Sequence, residues 1–290
     1  MTTLSSRQFL KITASLFVGV LLAACGKKEP APAETTASAP APMAASAPAP
    51  ATAKVYVVGT DAAYAPFESQ YDKAEIIGFD IDVVKAVAKK AGIEVKFVNT
   101  PWEGIFNTLA GGDRDMVVSA VTITDERKQT MDFSAPYFDA QQLIAIKATS
   151  KVSKFDELKK LKVGVQTGTT GDEAVSKLQG KTSANIKRFE STPLALKELE
   201  AGGVDAVVAD NGVIVHYVAN NSNVKFKTVA DASFVPEQYG IAVKKGNTEL
   251  LDKLNKGMAE IKADGTYTQI YTKYFGAPPA APAPAAAASK

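Results

Sequence analysis

The guanidinium of Arg127 is the side chain in this sequence that best suits the binding of an organic anion. Arg127 follows Thr-Ile-Thr-Asp-Glu at 122–126, where the pattern indicates that a loop enters a helix. A planar guanidinium donates two parallel, charge-assisted hydrogen bonds to a carboxylate, and backbone N–H groups at a helix start can add to them. The spacing equally allows a surface arginine paired with Asp125 or Glu126, so it leaves both interpretations open.

Asp210 is the matching candidate for binding a cation. It ends the apolar strand predicted at 204–209, and open α/β sheets bind ligands at the carboxyl ends of their strands. The same residue is well placed to cap a helix that begins near Asn211. One carboxylate oxygen can cap while the other binds, so the two roles are compatible.

Composition excludes several other kinds of chemistry. The 290 residues carry 33 Lys and Arg against 31 Asp and Glu, so the charge balance does not support nucleic-acid binding. One Cys and one His exclude an intramolecular disulfide, a cysteine-cluster metal site and a multi-histidine zinc site. The single histidine, His216, lies in an amphipathic stretch and is interpreted as a helix-surface or packed residue. We expect no metal and no cofactor.

The elements that must position these residues alternate between strand and helix from residue 54 to residue 276. Apolar runs, including those at 116–120 and 239–243, predict strands, and segments of helical periodicity lie between them. This alternation indicates parallel α/β sheets. Residues 109–120 and 199–210 share a helix end, a glycine turn, an Asp and an apolar strand, so we infer two lobes of similar topology.

Both ends of the chain differ from this compact part. Residues 1–25 predict a signal peptide, because basic Arg7 and Lys11 precede an apolar run that is too short to span a bilayer comfortably. The sequence Leu-Leu-Ala-Ala-Cys-Gly at 21–26 resembles the bacterial lipobox and predicts lipid attachment at Cys25; the alternative is a soluble secretory signal with an incidental Cys. Residues 26–53 and 277–290 are rich in Ala and Pro, which predicts a disordered linker and a disordered tail.

Six short motifs occur in order along 54–276. They are Gly-Thr-Asp-Ala-Ala-Tyr-Ala-Pro-Phe-Glu at 59–68, Gly-Phe-Asp-Ile-Asp at 78–82, Thr-Ile-Thr-Asp-Glu-Arg at 122–127, Asp-Phe-Ser-Ala-Pro-Tyr at 132–137, Gly-Thr-Thr-Gly at 168–171 and Ala-Asp-Gly-Thr-Tyr at 263–267. Together they resemble the extracytoplasmic amino-acid-binding proteins of ABC importers, bacterial solute-binding protein family 3. Each motif is weak alone, but six in the right order are specific.

This resemblance implies a two-lobed α/β fold, the periplasmic-binding-protein fold of type II, with two parallel-sheet, Rossmann-like lobes joined by a two-strand hinge. Lobe 1 would comprise 54–144 and 237–276, and lobe 2 would comprise 145–236. The implied function is to bind a free L-amino acid between the lobes and deliver it to ABC permease subunits in the membrane. We accordingly expect a monomer that is held outside the cytoplasm by its lipid. We expect neither enzymatic activity nor a nucleic-acid partner.

The resemblance also implies which residues bind the ligand. Arg127 and the backbone of two threonines would hold the carboxylate, Asp210 and the end of the lobe 1 strand would hold the ammonium, and an Asp with two aromatics would surround the side chain. The expected set is Asp61, Tyr64, Trp102, Ser119, Ala120, Thr122, Arg127, Gln166, Thr169, Thr170 and Asp210. Many family members have Gly where this chain has Ala120, and a methyl group there requires that the backbone avoid a positive φ.

The identity of the ligand and the class of function keep alternatives. Two aromatics and a carboxylate favour a cationic side chain, that of arginine, lysine or histidine. Glutamine binders keep an Asp at the place of Asp61, so glutamine is the second candidate. A periplasmic dehydratase that uses Asp61 or Asp210 with Arg127, and an amino-acid sensor or adhesin, are alternatives on the same fold. A purely structural explanation of the side-chain pocket also exists. In it, Tyr64 and Trp102 are core residues and Asp61 caps a loop.

Overall fold

Two five-stranded sheets form the framework of the described residues, which are 54–72, 75–223 and 225–277 of the computed structural model. In chain order the strands in these ranges are β1 (Val55–Thr60), β2 (Ala63–Tyr64), β3 (Glu68–Tyr71), β4 (Glu75–Ile77), β5 (Glu94–Asn99), β6 (Met116–Val117), β7 (Met131–Phe133), β8 (Phe138–Ala140), β9 (Gln142–Lys147), β10 (Val163–Gln166), β11 (Ile186–Phe189), β12 (Ala206–Asp210), β13 (Phe226–Val229), β14 (Glu237–Tyr239) and β15 (Ala242–Lys244). The helices in the same ranges are α1 (Phe79–Ala91), α2 (Ile105–Gly111), α3 (Asp125–Thr130), α4 (Thr170–Gln179), α5 (Thr192–Ala201), α6 (Asn211–Asn220), α7 (Thr248–Ala263) and α8 (Thr266–Phe275), with a 3-10 helix at Phe155–Lys160.

The two sheets have the same plan. The first, on which lobe 1 is built, has the order β5-β1-β6-β15-β7; β1 is parallel to β5 and β6, and β15 is antiparallel to β6 and β7. The second, on which lobe 2 is built, has the order β11-β10-β12-β9-β13; β10 is parallel to β11 and β12, and β9 is antiparallel to β12 and β13. The predicted two-lobed α/β architecture is confirmed, and the antiparallel strands in each sheet are an addition to it.

The chain passes between the lobes along two neighbouring antiparallel strands, β8 and β14, which we call the crossing strands. Phe138 pairs with Tyr239, and Ala140 pairs with Glu237. Strand β9 then begins at Gln142 and enters the second sheet beside β12. The sequence-based boundary after residue 144 divides β9, whereas the strand pairing puts the first crossing between residues 140 and 142.

Helix α1 buries the face that its sequence predicts, which consists of Ile81, Val84, Val87 and Ala88. The helix ends at Gly92, whose left-handed φ of 64° allows the C-cap. It packs closely on α7, because a Cβ on Gly257 would lie only 2.6 Å from the Val87 carbonyl oxygen. In the first turn of α1, Asp80 accepts a hydrogen bond from the Ala120 backbone.

An aromatic cluster attaches the crossing strands to lobe 1. The Phe67 ring packs edge-on against Phe138 at a centroid distance of 4.9 Å and against Tyr239 at 5.3 Å. Phe275, at the end of α8, packs on Phe67 at 5.4 Å and on Phe138 at 5.0 Å. Because Phe138 and Tyr239 belong to the two crossing strands, both strands are held against the core of lobe 1.

Two of the predicted strands are shorter than their apolar runs. The run at 116–120 forms β6 over Met116–Val117 alone, and Ala120 has a positive φ of 45° that turns the chain away from the sheet. The run at 239–243 is divided, since Tyr239 ends β14 in the crossing pair and Ala242 begins β15 in the first sheet. The small antiparallel sheet of β2, β3 and β4 was not predicted from the sequence.

The predictions for the two ends of the chain concern residues that are not described. They are the signal peptide at 1–25 with lipid attachment at Cys25, the linker at 26–53, and the tail at 277–290 beyond its first residue. Within 54–72, 75–223 and 225–277, each helix is too short or too polar to cross a bilayer.

Candidate functional site

A cavity of about 320 Å³, measured with its mouth, lies between the two lobes. Its lining residues come from both lobes: Asp61, Tyr64, Trp102, Ser119, Ala120, Thr122 and Arg127 from lobe 1, and Gln166, Thr169, Thr170 and Asp210 from lobe 2. The structure therefore brings all eleven of the positions expected from the sequence together in one place. Their role in binding stays a prediction.

Arg127 is held in the cavity by neutral groups. Its Nη1 donates to the Thr122 carbonyl oxygen at 2.9 Å and its Nη2 to the Gly168 carbonyl oxygen at 3.5 Å. Its guanidinium lies 5.3 Å from the ring centroids of both Trp102 and Phe106. In the described ranges no carboxylate forms an ion pair with it. Burial accordingly lowers the pKa of Arg127, which leaves a desolvated cation suited to an anionic ligand.

The sequence left open a surface pairing of Arg127 with its acidic neighbours, and the structure shows a different arrangement. Asp125 pairs with Lys128 at 3.3 Å and its side chain is almost fully exposed. Thr124 is the N-cap of helix α3, and its hydroxyl accepts the Arg127 backbone N–H at 3.1 Å. This cap fixes the direction in which the Arg127 side chain leaves the helix.

The loop opposite Arg127 is locked from behind by Asp172. Its carboxylate accepts the Gly168 backbone N–H at 3.1 Å and forms an ion pair with Arg188 at 2.9 Å. Thr169 caps α4 by accepting the Asp172 backbone N–H at 3.2 Å. The first turn of α4 therefore lies at the cavity wall beside Arg127, where its backbone dipoles favour a negative charge.

Asp210 is the second charge of the cavity, and it is 6 % exposed. Its Oδ2 accepts the hydroxyls of Tyr64 at 2.8 Å and Tyr239 at 2.5 Å, and its Oδ1 accepts the side-chain N–H of Gln142. Burial, followed by the nearby charge of Glu237, raises the pKa of Asp210 to about 6. The side chain does not cap α6, so the two tyrosines and the glutamine take the place of the predicted cap interaction.

Asp61 and Trp102, which were expected around a ligand side chain, have different partners in the structure. Asp61 accepts a hydrogen bond from Gln166 Nε2 at 3.2 Å, and burial raises the pKa of Asp61. Gln166 also donates to the Glu190 carbonyl oxygen at 3.1 Å, which fixes its amide. In the described chain the cation that lies over Trp102 is the guanidinium of Arg127. The expected pairing of Trp102 with a cationic ligand therefore competes with Arg127, whereas Asp61 has no positive partner in the described ranges.

A buried pair of carboxyl groups supports the floor of the cavity. Glu68 and Asp80 are both 0 % exposed. Glu68 Oε1 accepts the Ser119 hydroxyl at 2.9 Å, and Asp80 Oδ2 accepts the Ala120 N–H at 2.8 Å and the Tyr137 hydroxyl at 2.7 Å. Burial raises the pKa of Asp80 to about 6 and that of Glu68 well above its usual range. Burial therefore favours the protonated form of Glu68, which can donate a hydrogen bond to Asp80.

Ala120 stands in a conformation that favours glycine. The sequence analysis required that the backbone avoid a positive φ at this residue, and the observed φ of 45° contradicts that requirement. A non-glycine residue in this region costs about 1–2 kcal/mol. The hydrogen bond from the Ala120 N–H to buried Asp80 stabilises this conformation. Contacts within lobe 1 thus offset the free-energy cost, and Ala120 lines the cavity.

Three residues around the cavity were not predicted from the sequence: Gln142, Tyr239 and Glu237. Each lies at or next to a crossing strand, and the sequence analysis gave none of them a role in the site. Gln142 and Tyr239 become recognisable when the strands are paired, because both then point their polar groups at Asp210. Glu68 and Asp80 belong to motifs that the sequence analysis identified, although it gave them no role.

Among the described residues, neither the histidine nor a metal site contributes to this cavity chemistry. His216 lies on α6 outside the cavity lining, and burial lowers its pKa. In 54–72, 75–223 and 225–277 no group of three or more His, Cys, Asp or Glu side chains is arranged to hold a metal ion. The cavity lining itself carries side chains of opposite charge, Arg127 and Asp210.

Comparison with known proteins places this geometry in context. The profile of the bacterial extracellular solute-binding proteins, family 3, matches residues 56–277. A probable histidine-binding protein of Neisseria gonorrhoeae is 48% identical over 225 residues, which are 77% of this chain and 83% of that protein. The ABC transporter glutamine-binding protein GlnH of Bacillus subtilis is 34% identical over 271 residues, 92% of this chain and 96% of that protein.

A solved structure agrees with these relatives. The arginine-, lysine-, histidine-binding protein ArtJ from the thermophilic bacterium Geobacillus stearothermophilus superposes with a TM-score of 0.76. The two sequences are 45% identical, and the match covers 78% of this chain and 97% of the ArtJ chain. All three proteins are named for binding an amino acid.

The carboxyl pair predicts a specific dependence of stability on pH. Folding takes up a proton that both groups release in the unfolded chain, so the free energy of unfolding falls as the pH rises above about 5, by ~1.4 kcal/mol per unit while one proton differs. Glu68→Gln supplies a permanent N–H to Asp80 and keeps the acceptor for Ser119. Denaturant titrations between pH 5 and pH 8 should therefore show a smaller fall in the free energy of unfolding for this variant than for the wild type. Asp210 contributes the fall that remains.

Glu75→Gln, on the exposed strand β4, is the matched control and should keep the wild-type slope. A slope in Glu68→Gln equal to that of the wild type would show that the pair does not hold the proton.

Proposed function

The chain belongs to the bacterial extracellular solute-binding proteins of family 3, and we propose that it is the ligand-binding subunit of an ABC importer for a polar or basic L-amino acid. Arginine, lysine and histidine are the favoured ligands, and glutamine is the alternative. The observation that carries this proposal is the pair of opposite, desolvated charges in one cavity: Arg127, without a carboxylate partner among the described residues, and Asp210.

An α-amino acid supplies the missing partners of both charges. Its carboxylate suits Arg127 and the start of α4, since bonds between charged groups contribute about 1.5–3 kcal/mol each. Its ammonium suits Asp210, whose carboxylate has the cavity on one side and two tyrosines on the other. Because both ligand charges leave water together, each must find its partner for binding to be favourable.

Closure of the lobes is the proposed response to the ligand. The contacts that already bridge the lobes in the described residues include the Tyr64 hydroxyl to Asp210, Gln166 to Asp61, and Arg127 to the Gly168 carbonyl oxygen. A ligand bound to Arg127 and Asp210 adds bonds to both lobes at once, and therefore favours the closed arrangement over an open one. The crossing strands are the hinge in this mechanism, and the closed form is what a permease would recognise.

The side-chain end of the cavity supports a cationic ligand. Asp61 lines the cavity and its described contacts include no positive group. A carboxylate there pairs with a guanidinium, an ammonium or an imidazolium, and it also accepts from the amide of glutamine. The relatives named above include binders of both kinds, so Asp61 is the residue whose charge separates the two ligand classes.

We further propose that the protein acts outside the cytoplasm as a lipoprotein and not as an enzyme. The family to which it belongs is extracellular. Cys25, the single cysteine of the chain, follows Leu-Leu-Ala-Ala at the end of the apolar run. A lipid on this residue would hold the protein at a membrane surface without a spanning helix. The dehydratase alternative would require a general acid, and the candidates in the cavity lining are Asp61, Asp210 and Tyr64.

A calorimetric screen of the twenty amino acids tests the central proposal. We expect one-to-one binding of one amino acid, or a few related ones, with micromolar or tighter affinity. Trp102 is the only tryptophan in the chain and lines the cavity, so its fluorescence provides an independent signal. Arg127→Ala should weaken every amino-acid ligand by about tenfold or more, because the carboxylate loses its charged partner.

Lys128→Ala, on the exposed side of the same helix, is the control and should bind as the wild type does. Absence of binding for all twenty amino acids would rule out the transport function. Loss of water from a bound ligand, followed by nuclear magnetic resonance, would instead establish the enzymatic alternative.

Asp61→Asn tests the specificity of the side-chain end. The substitution keeps an oxygen that can accept from Gln166 but removes the negative charge. Affinity for arginine and lysine should fall by about tenfold or more, while affinity for glutamine should change little. Asp113→Asn, at an exposed position outside the cavity, is the control. Equal losses for glutamine and arginine would contradict the assigned role of Asp61.

Metabolic labelling tests the lipid anchor. Cells that express the full chain with an alkyne-tagged palmitate should give a labelled, membrane-associated protein, and Cys25→Ser should give neither label nor membrane association. Because the chain has one cysteine, no second thiol complicates the result. A wild-type protein without label, or a labelled variant, would contradict lipidation at this residue.

A further inference from the structure

Glu237 connects the two lobes at the base of the cavity. It is the first residue of crossing strand β14 and is half-buried. Its Oε2 accepts the Thr122 hydroxyl of lobe 1 at 2.7 Å and the Thr170 hydroxyl of lobe 2 at 2.9 Å. Its Oε1 accepts the side-chain N–H of Gln142 at 3.1 Å. One carboxylate thus gathers donors from both lobes and from the strand that joins them.

We propose that Glu237 is a positioning residue that turns the hydroxyl groups of Thr122 and Thr170 into acceptors for a ligand ammonium and holds the two lobes together when they close. This inference rests on the proposed function, and it names how that same site selects an α-amino group. Glu237 does not line the cavity, so it acts through the two threonines.

The polarity of the threonines follows from the chemistry of a carboxylate. A carboxylate oxygen can only accept, so both hydroxyls must donate their single hydrogen to Glu237. What each hydroxyl then presents to the cavity is an oxygen lone pair. Since Thr122 and Thr170 both line the cavity, their lone pairs favour a donor such as an ammonium and disfavour a group that offers only acceptors.

The amide of Gln142 relates Glu237 to Asp210. Its Nε2 lies within hydrogen-bond distance of a carboxylate oxygen of each, and it approaches the Thr170 hydroxyl at 3.1 Å. A single donor group between two carboxylates reduces their repulsion without neutralising them. Two negative charges therefore remain beside the threonines that line the cavity, and both of them also act on the charge of Arg127.

The position of Glu237 explains how the same contacts respond to closure. Thr122 stays near the crossing strands in any arrangement of the lobes, because it forms a backbone bridge with Tyr239. Thr170 belongs to α4 of lobe 2, so its bond to Glu237 is the one that depends on how the lobes are placed. Formation of that bond thus reports that lobe 2 has closed on the hinge.

Glu237→Gln is the variant that tests the inference, because an amide can donate to the threonines and allow their hydroxyls to turn. The probes are L-arginine, L-histidine and L-glutamine, together with the α-hydroxy acid that corresponds to the tightest of the three. Affinity for the amino acid should fall about tenfold or more, whereas the α-hydroxy acid should lose much less or gain. Glu249→Gln, on exposed α7, is the matched control and should change neither.

A double-mutant cycle between Glu237→Gln and Thr170→Val tests whether Glu237 acts through the threonine. The double variant should bind L-amino acids about as weakly as the weaker single variant, because each substitution removes the same interaction. Thermal unfolding of all variants verifies that they fold, and Thr170→Val alone provides a second variant in which the carboxylate is kept.

The outcomes separate the inference from the proposed function. A wild-type protein that binds none of the probes or other amino acids refutes the proposed function and the inference with it. A wild-type protein that binds, with Glu237→Gln unchanged, refutes the inference alone. Equal losses for the amino acid and its α-hydroxy counterpart, or strictly additive losses in the cycle, also refute it, because a purely structural role would produce them.

Discussion

Charges inside a narrow cavity have little water around them, so each must be compensated by groups of the protein or of a ligand. Arg127 is compensated by two carbonyl oxygens and two aromatic rings, which hold it without neutralising it. Asp210 is compensated by two hydroxyls and an amide, which likewise leave its charge in place. In the proposed function, this incomplete compensation is what suits Arg127 and Asp210 to bind a molecule that carries both opposite charges.

The compensation is also divided between the lobes. Arg127 of lobe 1 uses a carbonyl oxygen of lobe 2, and Asp210 of lobe 2 uses a hydroxyl of lobe 1. Neither charge has its full set of partners unless the lobes approach each other. The pair formed by Glu68 and Asp80 fixes the segment after β6 that carries Ser119 and Ala120, so this part of the cavity wall is held by lobe 1.

Local patterns allowed much of this to be predicted from the sequence. The face of α1, the repeat at 109–120 and 199–210, and the positions of Arg127 and Asp210 depend on neighbours a few residues away, and the structure agrees with them. Gln142, Glu237 and Tyr239 could not be found in this way, because their partners lie up to 115 residues distant in the chain. The backbone conformation of Ala120 was predicted wrongly because its N–H donates to Asp80, which lies 40 residues earlier in the chain.

The order of the strands has a consequence for how the molecule bears force. Strand β1 begins the described chain, and α8 ends it, and both belong to lobe 1, while lobe 2 is inserted between the two crossing strands. A pull on either end of the folded part is therefore carried by the sheet and aromatic core of lobe 1. The crossing strands lie outside that line of load, so tension between the two ends does not act directly on the connection to lobe 2.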